Sequence, residues 1–466
     1  LRVSPPPRSV LVICTRRIGD VLLVTPLLRS LARAWPDAAI DLLVFRGTEG
    51  IVAGNPDVRR VLTVPERPGR IEHLRFALGL WRRWDLAVST LAGDRPTLYA
   101  WLAGRRRAGE LVEAPDQRWK RRLLDVVVPF DNDATHTVAM HLALADALNV
   151  ARVPEVVASW TDGDAQVVDA LRAQHALAPG AYAVLHPSPK FRYKQWADAG
   201  WAALADHLVA ARGLRVVLTG SPDADERALV GRVAAEARRR IGAADASPPD
   251  ELDTDARAVG AAAMAAAAVA GEAGRDAIVD LSGALSLSQT TALIAGAALY
   301  VGPDTVTTHA AAATGVPTVA LFGPSDPVKW GPWPRGWPGT DHPWPRVGSG
   351  MRGNVALVQG EVHDGRACVP CRLEGCDRHV GSASDCLTGL GVGRVVAAVE
   401  ALVTVRIEQE PTVPSEIASN PLFGLWRDRE DMADVAGWVR GLRQSSAADA
   451  SDSSGQTSDD APGPAA

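Results

Sequence analysis

Short apolar runs alternate along most of this chain with segments whose apolar residues recur every three or four positions. SVLVIC (9–14), AIDLLVF (39–45), VLTV (61–64) and WDLAVST (84–90) have the length and β-branched content of buried strands. DVLLVTPLLRSLARAW (20–35) carries helical spacing between the first two. A second set opens with AYAVLHP (181–187), WAALADHLVAARG (201–213) and LRVVLTG (214–220). It continues with IVDLSG (278–283), the helix SLSQTTALIAGA (286–297), LYVG (299–302), a helix from 304, and TVALFG (318–323). Alternation of this kind predicts an α/β chain whose parallel sheets are covered by helices on both faces.

The two sets meet near 150–180, which divides the chain into domains at 1–165 and 166–405, with an Ala-rich insertion at 231–275. Residues 406–443 read as a linker and final helix, in which Met432, Val435, Ala436, Val439 and Leu442 share one apolar face. The acidic, low-complexity stretch 444–466 predicts a disordered tail.

Composition narrows the function. With 466 residues, 47% of them hydrophobic, the chain can fill two cores. A net charge of −5 argues against nucleic acid as the main partner. No apolar run approaches the ~20 residues of a membrane span. The run at 9–14 is too short for the core of a signal peptide, so the expectation is a soluble, cytoplasmic protein. Only four of the 49 basic residues are Lys (Lys120, Lys190, Lys194 and Lys329), and two of them share one short segment.

Three strand-end segments carry candidate chemistry. In YVGPDTVTTHAAAATGVPTVALFG (300–323), Asp304, Thr305, Thr307, Thr308 and His309 crowd the passage from strand to helix. Pro303–Thr305 is the expected helix start, where free backbone N–H groups and hydroxyls attract anions. An Asp304 N-cap with solvent-facing threonines is the plain alternative. LHPSPKFRYKQW (185–196) delivers Ser188, Lys190, Arg192 and Lys194 to a similar loop, which also reads as a solvated basic turn. CTRRIGDVLLVTP (14–26) places Asp20 at a helix start, as a cap or as a reactive carboxylate.

Taken in order, RRIGDVLLVTPLLRSL (16–31), HPSPKFRYKQW (186–196), VVLTGSPDADE (216–226) and the block 285–332 resemble glycosyltransferase family 9, the lipopolysaccharide heptosyltransferases. The resemblance spans about residues 9–400. It implies a GT-B fold, two Rossmann-like domains facing each other across a cleft. It also implies an inverting enzyme that transfers heptose from ADP-heptose to a lipopolysaccharide-core acceptor without a catalytic metal or other cofactor. By the same resemblance Asp20 is the general base, and Lys194 binds the diphosphate and stabilises the leaving group. Ser188, Asp304, Thr305, Val306, Thr308 and His309 fall at the nucleotide-sugar site. Leu285 falls beside the adenine and Glu226 at the ribose, with Asp225 as its rival. Val306 stands where the family usually has Gly, which leaves donor choice less determined than reaction class. A GT-B transferase with another nucleotide-sugar or acceptor, or a nucleotide-sugar-binding protein without catalysis, remains open. Asp20 separates the enzyme from the binder.

Other motifs say less. GSGMRG (348–353) meets the dinucleotide pattern but lies in a Pro/Trp-rich stretch, not between strand and helix. Asp-x-Asp triplets at 131–133, 162–164, 223–225 and 253–255 are too common to mark a metal. Cys368, Cys371, Cys376 and Cys386 are compatible with a structural zinc site but lack the two-knuckle regularity, so none is expected; disulfides or free thiols are the other readings. The stretch 328–345 reads either as a sugar-cleft wall or as a Pro-stiffened loop. The basic stretch 104–125 reads as a solvated face or as a peripheral contact with the inner membrane or a phosphorylated lipid acceptor.

Overall fold

The computed structural model describes residues 5–244, 277–339, 341–361 and 368–409. Leu1–Arg406 form one compact unit, and it holds two sheets. In the first, β1 (Ser9–Cys14), β2 (Ala39–Phe45), β3 (Arg60–Val64), β4 (Trp84–Ser89), β5 (Gly104–Leu111) and β6 (Val126–Pro129) run parallel in the order β3-β2-β1-β4-β5-β6. The second contains β7 (Tyr182–Leu185), β8 (Arg215–Leu218), β9 (Ile278–Asp280), β10 (Leu299–Pro303), β11 (Thr318–Phe322), β12 (Gly350–Arg352) and β13 (Val355–Gln359). Its order is β12-β13-β11-β10-β7-β8-β9, parallel except at the β12 edge. Chain order reverses on either side of β1 and of β7. Both lobes therefore have a switch-point crevice beyond the carboxyl ends of their strands, where ligands bind in open α/β sheets. This is the GT-B arrangement that the resemblance implies.

Several elements depart from the sequence reading. The helix expected over 20–35 is two helices, Ile18–Leu23 and Thr25–Ala34, with Pro26 at the start of the second. Proline lacks the N–H that a continuous helix would need there. The dinucleotide-like GSGMRG runs into edge strand β12, not a helix. The expected boundary at 165 falls inside the helix Asp162–Gln174, which begins at a capping box on Thr161 and packs on the C-terminal lobe's Leu287–Ala295 helix. The Ala-rich insertion starts as the last part of the helix Ala224–Ala244; the rest of it, the final apolar face at 432–442 and the tail lie outside the described residues.

The basic stretch 104–125 is also corrected. Its first third is β5, an interior strand with Ala108 to Leu111 buried. Arg107 pairs with Asp125, and Lys120 is buried against Asp94 at 2.7 Å. Arg105, Arg118, Arg121 and Arg122 remain exposed.

The lobes meet along a packed seam. One apolar cluster runs from β1 and the helices Ile18–Leu23 and Thr137–Ala147 into Ala310, Ala313 and Trp333 of the other lobe. The short helix Ile18–Leu23 lies directly against the helix Val306–Thr314. Across the seam His136 Nε2 meets the Gly331 carbonyl at 2.8 Å, and Trp333 Nε1 donates to the Pro154 carbonyl at 2.8 Å. Burial holds His136 neutral, its pKa lowered to about 3. Within the 328–345 stretch, Gly331 and Trp333 thus belong to the seam, and Trp330 lies under the Arg16 guanidinium at 5.7 Å.

Candidate active site

The site is assembled from strand ends. On the N-terminal side, β1 ends at Cys14 and the chain turns through Arg16 and Arg17 into the helix carrying Asp20. Asp20 is 4% exposed, and its Oδ2 lies 3.5 Å from Arg16 Nε. Burial raises the Asp20 pKa; Arg16, His141, Arg17 and Lys329 pull against that without cancelling it. A buried carboxyl with a raised pKa, served by nearby cations, is the environment of a proton acceptor.

On the C-terminal side, the ends of β7 and β10 converge. Lys194 Nζ donates to Asp304 Oδ2 at 2.5 Å and to the Asp304 carbonyl at 3.3 Å. His309 Nε2 stands 3.8 Å from Asp304 Oδ1. Burial alone would raise the Asp304 carboxyl, but Lys194 and His309 overcome it and hold the group below the usual carboxylate range. An ammonium has three donors, so one N–H of Lys194 is left over. Ser188 Oγ and His309 Nδ1 are buried without a hydrogen-bond partner. Buried orphan polar atoms are rare in native proteins and point to a binding partner.

The opening segment differs in detail from its sequence reading. β10 continues through Pro303, and the helix begins at Val306, with Thr305 extended at its N-cap. Asp304 is not a cap, because Lys194 occupies its carboxylate. Thr308, expected at the donor, is fully buried and donates its hydroxyl to the Pro303 carbonyl at 2.5 Å. Thr307 and Thr305 join the same hydroxyl cluster, which is anchored on the buried Tyr300. These hydroxyls brace the turn from beneath. The Val306 side chain packs on the inter-lobe apolar cluster, which accounts for a bulky residue at this position.

The remaining candidates lie around the rim. Glu226 Oε2 accepts from the Ser221 N–H at 3.1 Å, beside the end of β8, whereas Asp225 is exposed. Leu285 is partly buried just before the capping box at Ser286. Lys190 and Arg192 are exposed. Phe191 reaches across to Arg17, whose Cζ lies 5.3 Å from the ring.

The sequence reading missed three buried groups near Asp20. Glu110 Oε1 lies 3.1 Å from His141 Nδ1, while Glu110 Oε2 and His141 Nε2 have no partner. Lys329 crosses from the other lobe and donates to the Asp131 carbonyl at 3.0 Å. Burial lowers its pKa to about 8, against the opposing pull of Glu110. The scarcity of lysine was a usable signal for Lys329. Nothing local marked Glu110 or His141.

Through Ser384, whose Oγ donates to the Tyr193 carbonyl at 2.7 Å, the cysteine segment meets the loop that carries Lys194. Cys386 is buried, with its thiol pushed up to about 12 by burial and by Cys371, Cys376 and Cys368. Among the described residues no cluster of three or more metal-binding side chains occurs, and all five cysteines are free.

Comparison with known proteins adds to this geometry. The family model described as glycosyltransferase family 9 (heptosyltransferase) matches residues 116–246 and 256–336. Lipopolysaccharide heptosyltransferase 1 of Pseudomonas aeruginosa is 30% identical over 337 residues, covering 68% of this chain and 79% of that protein. Lipopolysaccharide heptosyltransferase 3 of Escherichia coli is 25% identical over 327 residues, covering 68% and 83%. Among solved structures, E. coli ADP-heptose lipopolysaccharide heptosyltransferase II superposes with a TM-score of 0.58 at 20% identity, covering 86% of this chain and 99% of that one.

Proposed function

The chain belongs to glycosyltransferase family 9, and from that premise we propose that it transfers heptose from ADP-heptose to a lipopolysaccharide-core acceptor with inversion. The carrying observation is the Lys194–Asp304 pair at the C-terminal strand ends, flanked by the unpartnered Ser188 Oγ and His309 Nδ1. The third N–H of Lys194 and the N-terminus of the helix Val306–Thr314 meet the diphosphate. Leu285 lies at the adenine and Glu226 at the ribose.

In the reaction an acceptor hydroxyl oxygen attacks the anomeric carbon on the face opposite the diphosphate. The bond from that carbon to the β-phosphate oxygen breaks, and its electron pair leaves with ADP. The hydroxyl proton passes to Asp20. Lys194 and the helix N-terminus stabilise the charge that grows on the leaving oxygen. Asp20→Asn keeps the side chain's shape but cannot accept the proton. It should lower transfer by about 10²–10⁴-fold, read by mass analysis of the glycosylated acceptor, while ADP-heptose affinity stays within about twofold. Undiminished turnover in that variant would remove Asp20 as the base. A screen of ADP-, UDP- and GDP-sugars checks the donor.

A further inference from the structure

The helix Arg70–Leu80 is apolar on two sides. Phe76 and Leu80 turn inward to the core of the N-terminal lobe, where Phe76 meets Tyr99 edge-on at 5.6 Å. Ile71, Leu74 and Leu78 lie on the outside at helical spacing, followed by Trp81, and all four are 53–68% exposed. Trp81 meets Trp101 edge-on at 6.0 Å, which joins the stripe to exposed Trp101 and Leu98 on the helix Asp94–Ala103. A contiguous outward patch of this size marks an interaction surface.

Its rim carries a definite charge. Residues 66–83 contain five Arg and two Glu, a local net of +3, in a chain whose net charge is −5. One of the acids, Glu72, faces Arg46 at 3.5 Å. Arg67, Arg70 and Arg75 are exposed and, among the described residues, form no ion pair. Arg82 stacks on Trp81 at 5.5 Å.

We propose that this face docks the enzyme on an anionic lipid bilayer. Leucine, isoleucine and tryptophan would enter the headgroup region. The arginine stems would lie along the apolar surface, with their guanidinium groups on lipid phosphates. Tryptophan pairs suit this depth, having an apolar body and one polar N–H. Two copies of the chain apposed through this face would set their unpaired arginines against each other, which disfavours self-association. The proposed function supplies only the reason for a lipid surface, its acceptor being lipid-linked; the patch itself is independent of it. The proposed contact lies on the helix Arg70–Leu80.

The test is co-sedimentation of the full-length protein with phosphatidylcholine vesicles, with and without phosphatidylglycerol, in the absence of donor and acceptor. Binding should require phosphatidylglycerol and weaken with added salt. The double variant Leu74→Glu/Leu78→Glu should bind at least about tenfold less, with an unchanged melting temperature. Arg67→Gln/Arg70→Gln/Arg75→Gln should lose the preference for anionic vesicles. Absent or lipid-indifferent binding overturns the proposal. So does a wild-type dimer that the glutamates dissociate in sedimentation velocity, or a large fall in melting temperature, which would show the patch covered by the chain itself. Because no turnover is measured, failure here leaves the transferase reading untouched, and the converse holds too.

Discussion

Asp20 sits under two opposed influences, burial raising its pKa and the cations Arg16, Arg17 and Lys329 lowering it. Burial prevails, so the acid limb of kcat/KM should lie above the ordinary aspartate value, activity falling as pH drops through it. Removing a cation removes stabilisation of the carboxylate. Arg16→Met is therefore expected to move that limb to higher pH, the guanidinium being only partly in solvent. A pH–rate profile checks it. A limb that stays in place or moves toward acid would mean Arg16 does not act on the titrating group. Asp304 is the opposite case. Lys194 and His309 keep it ionised throughout the neutral range, so it serves as a fixed anion that orients an ammonium and not as a proton acceptor.

At the scale of elements, the helix Val306–Thr314 has to begin at the site and stop cleanly at its other end. Ala310 and Ala313 are small enough for close packing against the other lobe, while Ala311 and Ala312 pack within their own. Gly315 ends the helix in the left-handed conformation at φ 88°, where a β-carbon would stand 2.8 Å from Arg335 Cδ. Gly315→Val should cost about 1–2 kcal/mol or more, since a β-branched residue resists that conformation. Chemical denaturation measures this, and wild-type stability in the variant would show that the chain can close the helix another way. The tandem helices Ile18–Leu23 and Thr25–Ala34 show the complementary device. Pro26 breaks the first helix after six residues, so Asp20 stands on a short segment set by its own packing.

For the whole molecule, the seam joins the two lobes. Trp333 is 1% exposed within the cluster shared by both lobes, and its indole N–H is bonded to Pro154 across the seam. Trp333→Ala should cost about 3–5 kcal/mol. The proposed ADP contacts all lie on one lobe, so nucleotide affinity by calorimetry is expected to hold while kcat falls. Loss of ADP binding in a folded variant would instead place the seam within the nucleotide site.

Much of this architecture was readable from order along the chain. Buried parallel strands are continuous apolar runs, so β1, β2, β4, β7, β10 and β11 announce themselves, and with them the strand-end loops holding Asp20, Lys194 and Asp304. β5 did not, because RRRAGEL gains its burial from the strands on either side and not from its own hydrophobicity. The helix Arg70–Leu80 gave no clean period. Leu74, Phe76, Leu78 and Leu80 recur at every second position while Ile71, Leu74 and Leu78 follow helical spacing, since one face packs on the core and a second, exposed face is apolar as well. Local sequence determined which side chains stand at strand ends, because that depends only on near neighbours. Long-range packing decided which of them meet. It brought Lys194 to Asp304 across 110 residues, His141 to Glu110, and Lys329 from one lobe into the other. It also turned Thr308 inward, because a hydroxyl's partner is set by what surrounds it in space, a fact absent from its own short segment.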